Sequence, residues 1–399
     1  MDILFVGHFG GRNIGDEIIL LSQMQMLENY YNERINFHVF TYDEDFTINL
    51  YRQYGYKVKT IEAFGLRKMF TSIKDQLNKI NKFDIVILGG GGLIQDVYFS
   101  YGIFRYLLPC FIAINRGIPV ASFSLGVYRF NYSINRALFK AFLGSSTAIS
   151  VRDEVSLVNC REIGFKETIH LVPDSALLFD LTKIPIPDEL IGFFKLTIVL
   201  REFFTPYLDI LSNSIKEYLS DQKISNVYVE IVVFENNPEE SKIALELRNL
   251  LKDRIEHIFI SDQIDPLNYL SKLSQSDLVI SGRLHGIVPS VILNKNIVCL
   301  SYSPKIEAFC REKCLKYINT SELKNKLDLK DYINILNEPK INRKNELEKA
   351  FKFLRYLDDK RRQNIKPKRA NKILLFFSGL YLLTIHIFNK LTGFKRKEE

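Results

Sequence analysis

Residues Leu278-Val-Ile-Ser-Gly-Arg-Leu-His-Gly-Ile-Val-Pro-Ser290 run from one apolar stretch, through a glycine-bracketed turn, into another. The first stretch is short and aliphatic, as in a buried strand, and the second opens a helical pattern. A strand that gives way to a helix across a tight turn is the repeating unit of a parallel sheet. The turn carries two cationic residue types two positions apart, Arg283 and His285. A turn at a strand's carboxyl end exposes such side chains to whatever the sheet binds.

The same alternation extends in both directions. Strand-like runs at 3–6, 37–40, 85–88, 119–123, 148–151 and 169–172 interleave with helix-period patterns at 17–30, 66–80, 107–116 and 134–142. The pattern breaks at 181–195, around Ile184-Pro-Ile-Pro187, and then restarts. Strands at 196–200, 227–233, 255–260, 278–280 and 297–300 alternate with helices at 207–220, 239–251 and 266–274. Such alternation specifies parallel sheets covered on both faces. The expected organisation is therefore a Rossmann-like domain over 1–180, a linker over 181–195, a second Rossmann-like domain over 196–340, and a tail over 341–399. Two such halves joined by one linker are expected to face each other across a cleft. At 399 residues the chain also exceeds what one ordinary core supports.

The net charge of +8 is confined to the tail. Residues 360–397 hold eleven Lys and Arg and no acid, which leaves residues 1–359 near neutral. A nucleic-acid surface needs a basic face on the folded domain, so no nucleic acid is expected as partner. The tail's apolar run, Ile373–Phe388, makes a helix of about 24 Å, short of the roughly 30 Å hydrocarbon layer. With basic flanks on both sides it reads as a basic amphipathic helix held on an anionic membrane surface through residues 360–397. The bland reading is a helix packed on the body. The five cysteines show no metal-ligand or disulfide spacing and read as reduced cytoplasmic thiols. The N-terminus enters a strand at once, so no signal peptide is expected. The expected location is cytoplasmic, peripheral on the inner face of the membrane.

The residues after each strand carry the chemistry. Gly7–Gly15 follows the first strand and Gly89–Gly92 the 85–88 run, with Asp96 beyond. Arg152-Asp153 and Asp174 follow two further strands of this half. In the second half come Arg201, Glu235, Arg283, His285 and Lys305. Neither glycine run fits a nucleotide fingerprint, although such runs let backbone N–H groups approach an anion or sugar. Three arginines and a lysine at strand ends imply an anionic ligand with carboxylate or phosphate groups. His285 reads as an acid or base. Asp16, Asp96, Asp153 and Asp174 precede helix-like stretches, and helix capping matches function as their explanation. No metal cluster is visible.

The ordered set Asn13-Ile-Gly-Asp-Glu17, Gly89–Gly92 with Asp96, Ser150-Val-Arg-Asp-Glu-Val-Ser156, Asp174, Leu200-Arg201 and Ser281–Gly286 resembles the polysaccharide pyruvyl transferase family. Tyr302-Ser-Pro-Lys305 is similar to that family's Tyr-Asp-x-Lys, with Ser303 where Asp is commoner. The resemblance runs from about residue 1 to 315 and implies a GT-B-like pair of domains. It also implies transfer of pyruvate from phosphoenolpyruvate, as donor substrate with no cofactor, to a sugar as a ketal. On that basis His285 and Arg283 are expected to be catalytic. Arg152, Arg201, Lys305, Asn13, Asp16, Gly90, Gly91 and Asp174 are expected to bind substrate. With the basic tail, the expected acceptor is a lipid-linked saccharide of a surface polysaccharide. Two other readings share these features: a GT-B glycosyltransferase using a sugar nucleotide, and a membrane-docked assembly factor without catalysis.

Overall fold

The computed structural model describes residues 1–63, 80–96, 102–186, 191–323, 327–336 and 340–363. The helix expected at 66–80 and the apolar run of the tail lie outside the described residues, apart from Ile80. The chain divides into two compact units. The first comprises Met1–Gly11, Ile19–Leu178 and the described residues from Asn345 on, and the second Arg12–Ile18 and Phe179–Lys344.

The first unit holds a seven-stranded, wholly parallel sheet. Its strands are β1 (Asp2–Phe9), β2 (Asn36–Thr41), β3 (Lys59–Glu62), β4 (Ile85–Gly89), β5 (Val120–Leu125), β6 (Ala148–Val151) and β7 (His170–Leu171). They lie in the order β3-β2-β1-β4-β5-β6-β7. The central strands β4 and β5 are buried along their whole length, as strands covered on both faces are, and the two serines of β5 donate to the carbonyls of Ser150 and Pro173. The connecting helices include α1 (Ile14–Tyr31), α2 (Glu44–Gln53), α3 (Gly102–Asn115), α4 (Ser133–Ser145) and α5 (Glu154–Glu162).

The second unit repeats the plan with six parallel strands: β8 (Phe194–Val199), β9 (Val227–Val232), β10 (His257–Ser261), β11 (Leu278–Ser281), β12 (Asn296–Ser301) and β13 (Tyr317–Asn319). Their order is β10-β9-β8-β11-β12-β13. The helices here are α6 (Leu208–Asp221), α7 (Pro238–Leu251), α8 (Pro266–Ser274), α9 (Leu284–Ile292) and α10 (Pro304–Glu312). Leu196, Ile198, Val229, Ile231, Leu278 and Ile280 anchor its core. In each sheet the chain runs outward in one direction and then returns to the other side of its first strand. The resulting switch points, β1/β4 and β8/β11, are where ligands of such sheets bind.

Helices α2 and α10 were not among the sequence expectations, and three further features differ from them. Strands β3 and β13 were not anticipated, since each buries only one side chain, Ile61 and Ile318, and shows no apolar run. Segment Arg12–Ile18 groups with the second unit, where Ile14 donates its N–H to the carbonyl of Phe234 at 2.9 Å. The 341–399 stretch is not a uniform tail. Residues Arg343–Arg362 form α11, whose Ala350, Phe353, Leu354 and Leu357 are buried. On the first unit Phe353 meets Phe123 at 5.7 Å and His170 at 5.4 Å, and Asp358 accepts hydrogen bonds from Tyr30 and Tyr31. Among the described residues, no helix is long and apolar enough to cross a membrane.

Candidate functional site

In the second unit the switch point is framed by Arg201, after β8, and Arg283, after β11. Ser281 sets the second turn: its hydroxyl accepts the N–H of Arg283 at 3.1 Å and donates to the Arg283 carbonyl at 2.9 Å. Arg283 then sits at the N-cap position of α9 in extended conformation, and His285 is the second residue of that helix. Helix α1 starts beside this turn because position 15 is glycine. A methyl carbon there would stand 2.3 Å from His285 Nδ1.

The cations are not bare. Arg283 is buried, donates to Glu235 at 3.2 Å, and is in ion-pair contact with Glu240. Its guanidinium also lies 5.4 Å from the Phe234 ring. Burial, followed by repulsion from Arg201, pushes the Arg283 pKa down. Glu240 is fixed from its other side, since Oε2 accepts the backbone N–H groups of Phe234 and Glu235 at 3.2 Å each. Arg201 donates twice to Glu202, at 2.9 and 3.2 Å, and reaches the Tyr302 hydroxyl at 3.4 Å. Burial opposes the charge on Arg201, but Tyr302 and Glu202 outweigh it and raise its pKa.

Lys305 differs from both arginines. It lies in the first turn of α10 with its ammonium 5.9 Å from the Tyr302 ring, and no acid pairs with it among the described residues. Tyr302 stacks on Phe203 at 4.6 Å and 15°. Burial raises the pKa of this phenol, but Lys305 and Arg201 more than offset it, so the net shift is downward. A phenol surrounded by cations donates a strong hydrogen bond and stabilises negative charge beside it. Tyr302 carried no role in the sequence reading, although its motif was noted. Glu240 gave no sequence signal beyond being an acid in a helix's first turn.

The other expected site residues have structural engagements of their own. Asn13 Oδ1 caps α1 by accepting the N–H of Gly15 at 2.9 Å, and Asp16 lies in the same first turn. Gly90 and Gly91 have φ of +50° and +72°, conformations that side chains disfavour. In the first unit Arg152 is buried among Asp153 at 2.9 Å, Tyr128 at 2.9 Å and Asp174 at 3.5 Å. An anion approaching Arg152 must compete with both carboxylates. Asp174 also accepts the N–H of Ala176 at 3.0 Å. Asp153 caps α5, and Asp96 accepts the N–H groups of Asn131 and Tyr132, so capping and loop bracing account for both. Thus Arg201, Arg283, His285 and Lys305 belong to the second unit with Asn13 and Asp16, whereas Arg152, Asp174, Gly90 and Gly91 belong to the first. Among the described residues no group of three or more His, Cys, Asp or Glu is placed to hold a metal ion.

The model of the family described as polysaccharide pyruvyl transferase matches residues 13–304, well over half of the chain. The chain belongs to the polysaccharide pyruvyl transferase family. It is a transferase, and its family implies a saccharide acceptor. The match ends one residue before Lys305. No curated protein matches the chain. Among solved structures, this pyruvyl transferase is similar to the UDP-GlcNAc 2-epimerase of Methanocaldococcus jannaschii, with a TM-score of 0.61 and 18% identity over 89% of this chain and 99% of that one. A putative UDP-N-acetylglucosamine 2-epimerase from Listeria monocytogenes gives 0.55 and 12%, over 100% and 98%. The UDP-GlcNAc 2-epimerase of Neisseria meningitidis, bound to UDP-GlcNAc, gives 0.53 and 16%, over 98% and 100%. At these identities the likeness shows the fold, a GT-B-like pair of Rossmann-like units.

Proposed function

We propose that this transferase moves the pyruvyl group of phosphoenolpyruvate onto a sugar as a ketal, at the carboxyl ends of β8 and β11. The observation that carries the reading is the pair Arg201 and Arg283 on either side of the switch point, with His285 in the same turn as Arg283. Phosphoenolpyruvate is a compact carboxylate plus phosphate, and guanidinium forks suit both groups. Arg283 is anchored by Glu240, which also lies 3.8 Å from Arg201, so Lys305 is the cation most open to an anion. Glu202 and Glu235 retain 27% and 29% side-chain exposure and can swing aside for an anion.

In the reaction the vinyl carbon of the donor takes a proton and its neighbour becomes cationic. One sugar hydroxyl attacks that carbon and loses its proton. Phosphate leaves with its bridging oxygen, and a second hydroxyl closes the ketal and loses its proton in turn. His285 is assigned the proton transfers. Tyr302, Arg201 and Lys305 stabilise negative charge on the departing phosphate. Holding two hydroxyls at one carbon is a task of positioning.

We place the reaction at an anionic membrane face, on a lipid-linked saccharide of a surface polysaccharide. The basic residues on both sides of the apolar run 373–388 support this, though that run lies outside the described residues. The test is incubation of a lipid-linked saccharide with phosphoenolpyruvate, followed by mass spectrometry and phosphate release. A ketal product with stoichiometric phosphate supports the reading. Transfer from a sugar nucleotide instead, or no turnover with either donor, overturns it.

A further inference from the structure

The cations at the switch point of the second unit are matched in charge by their neighbours. Arg201, Arg283 and Lys305 stand with Glu202, Glu235 and Glu240. These three carboxylates are held in different ways. The Glu240 side chain is 1% exposed and its Oε2 accepts two backbone N–H groups, so it stays with the arginines. Glu202 is the chain neighbour of Arg201 and pairs with it through both oxygens. Glu235 spans both arginines instead: its Oε2 lies 3.2 Å from Arg283 and 4.0 Å from Arg201. The Glu235 backbone is fixed, since its N–H donates to Glu240 and the chain there pairs with Asn13. Its side chain is 29% exposed and can turn outward.

Glu235 therefore places a tethered carboxylate where two guanidinium groups converge. Guanidinium forks are the natural partners of a ligand's carboxylate, so ligand and Glu235 compete for one position. A competitor on the same chain acts at an effective concentration on the order of millimolar. A ligand with a single carboxylate exchanges like for like against it and gains little. A ligand with a second anionic group makes a contact that Glu235 does not. Lys305 has no acid beside it among the described residues, and it lies with Tyr302, which accepts an N–H of Arg201 at 3.4 Å. Arg201 thus reaches both the Glu235 carboxylate and the Tyr302 hydroxyl, and the two anion positions are contiguous.

We propose that Glu235 determines specificity: its carboxylate holds the place of the ligand's carboxylate, and displacement requires a ligand that also brings a phosphate to Lys305, Tyr302 and Arg201. Such a site takes a phosphorylated carboxylate and rejects free pyruvate, which has the same carbon skeleton without the phosphate. The inference deepens the proposed function and rests on it for naming phosphoenolpyruvate as the ligand. The competition by Glu235 stands on the geometry of the second unit.

The test is isothermal titration calorimetry of the full chain, without acceptor, against pyruvate and phosphoglycolate. Phosphoglycolate carries a carboxylate and a phosphate but no vinyl carbon. The wild type is expected to bind it about tenfold or more tightly than pyruvate, the worth of one further charged contact. Glu235→Gln removes the competing charge and should tighten both ligands about tenfold. Lys305→Ala should weaken phosphoglycolate by a similar factor and leave pyruvate nearly unchanged. Glu235→Ala gives the same reading should Glu235→Gln fail to fold. Unchanged or weaker binding of both ligands by the Glu235 variants overturns the proposal. Equal losses of both ligands in Lys305→Ala overturn it too, as does the absence of binding in every protein. No turnover enters the assay, so a failed pyruvyl transfer with these affinities intact counts against the proposed function alone.

Discussion

Gly15 at the start of α1 lies against the imidazole of His285 so closely that no side chain fits between them. A methyl carbon at Gly15 would stand 2.3 Å from Nδ1 and 2.8 Å from the β-carbon of His285. The contact reaches the root of the side chain, so rotation of the ring alone cannot relieve it. Gly15→Ala is expected to shift His285 by a few tenths of an ångström or more and to cost about 1–3 kcal/mol of stability. Misplacing a catalytic group on this scale lowers turnover about ten- to a hundredfold. Pyruvyl transfer and thermal melting, measured together, check this. Full turnover in Gly15→Ala would remove His285 from the proposed proton transfers.

Lys305 is the cation with no acid beside it among the described residues. Lys305→Ala is expected to raise the KM for phosphoenolpyruvate about ten- to a hundredfold, the worth of a charged hydrogen bond, with little change in the acceptor's KM. It also removes a charge that lowers the Tyr302 pKa. An ultraviolet difference titration of Lys305→Ala should therefore show the Tyr302 phenol ionising at higher pH than in the wild type. An unchanged phenol titration would place Lys305 away from Tyr302 in solution.

Arg283 carries stability as well as chemistry. Its removal leaves the buried Glu240 carboxylate with the more distant Arg201, 3.8 Å away, as its remaining ion-pair partner. Arg283→Ala should cost about 3–5 kcal/mol, as breaking a buried pair does. The double variant Arg283→Ala with Glu240→Ala should recover part of that loss. Denaturant unfolding of the wild type, Arg283→Ala, Glu240→Ala and the double variant decides it, and additive losses would mean that the pair is not coupled.

His170 packs its ring against Phe353 and Tyr356 of α11, at 5.4 and 4.5 Å. Burial, with the charge of Lys352, holds its pKa below the ordinary 6.5. The folded state thus binds fewer protons than the unfolded state just beneath that pH, so stability rises with pH there. The contribution is complete above about 6.5 and is lost as the pH falls through the lower, folded value. His170→Phe keeps the ring and should flatten the slope of melting temperature against pH in that window. Burial lowers the His38 pKa as well, and His38 is common to both proteins, so the difference isolates His170. Parallel slopes in the two proteins would contradict a depressed His170 pKa.

Truncation should begin after Gln363, because α11 up to Arg362 is part of the first unit's packing. The shortened chain is expected to keep its melting temperature and to turn over a short soluble acceptor. It should leave anionic liposomes and slow on a lipid-linked acceptor, since docking raises the local concentration of such a substrate. Liposome binding that survives the cut would end the anchor reading.

Both sheets were legible in the sequence because central parallel strands are covered on two faces and so read as unbroken apolar runs, as Ile85–Gly89 and Leu278–Ser281 do. Strand ends were legible for the same reason. The chain must turn where such a run stops, and Arg152, Arg201 and Arg283 stand at those stops. The edge strands β3 and β13 were not legible, since a strand that buries one side chain leaves no periodic trace. Nor does sequence spacing tell which cation is engaged. Arg283 and Lys305 look alike as strand-end bases, yet one is tied to Glu240 from a helix 43 positions earlier and the other faces Tyr302. Asn13 and Gly15 read as a binding loop, and only the fold shows that one also caps a helix and the other gives clearance for His285. The cavity of about 230 Å³ lined by Glu230, Tyr269 and Lys272 has no signal along the chain at all, because its walls come from three strands, α8 and the start of α1, brought together only by packing. Periodicity and residue type, which act locally, determined the elements and where the chemistry collects. Partnership, burial and charge balance arise between segments distant in sequence, and the tertiary structure alone decided them.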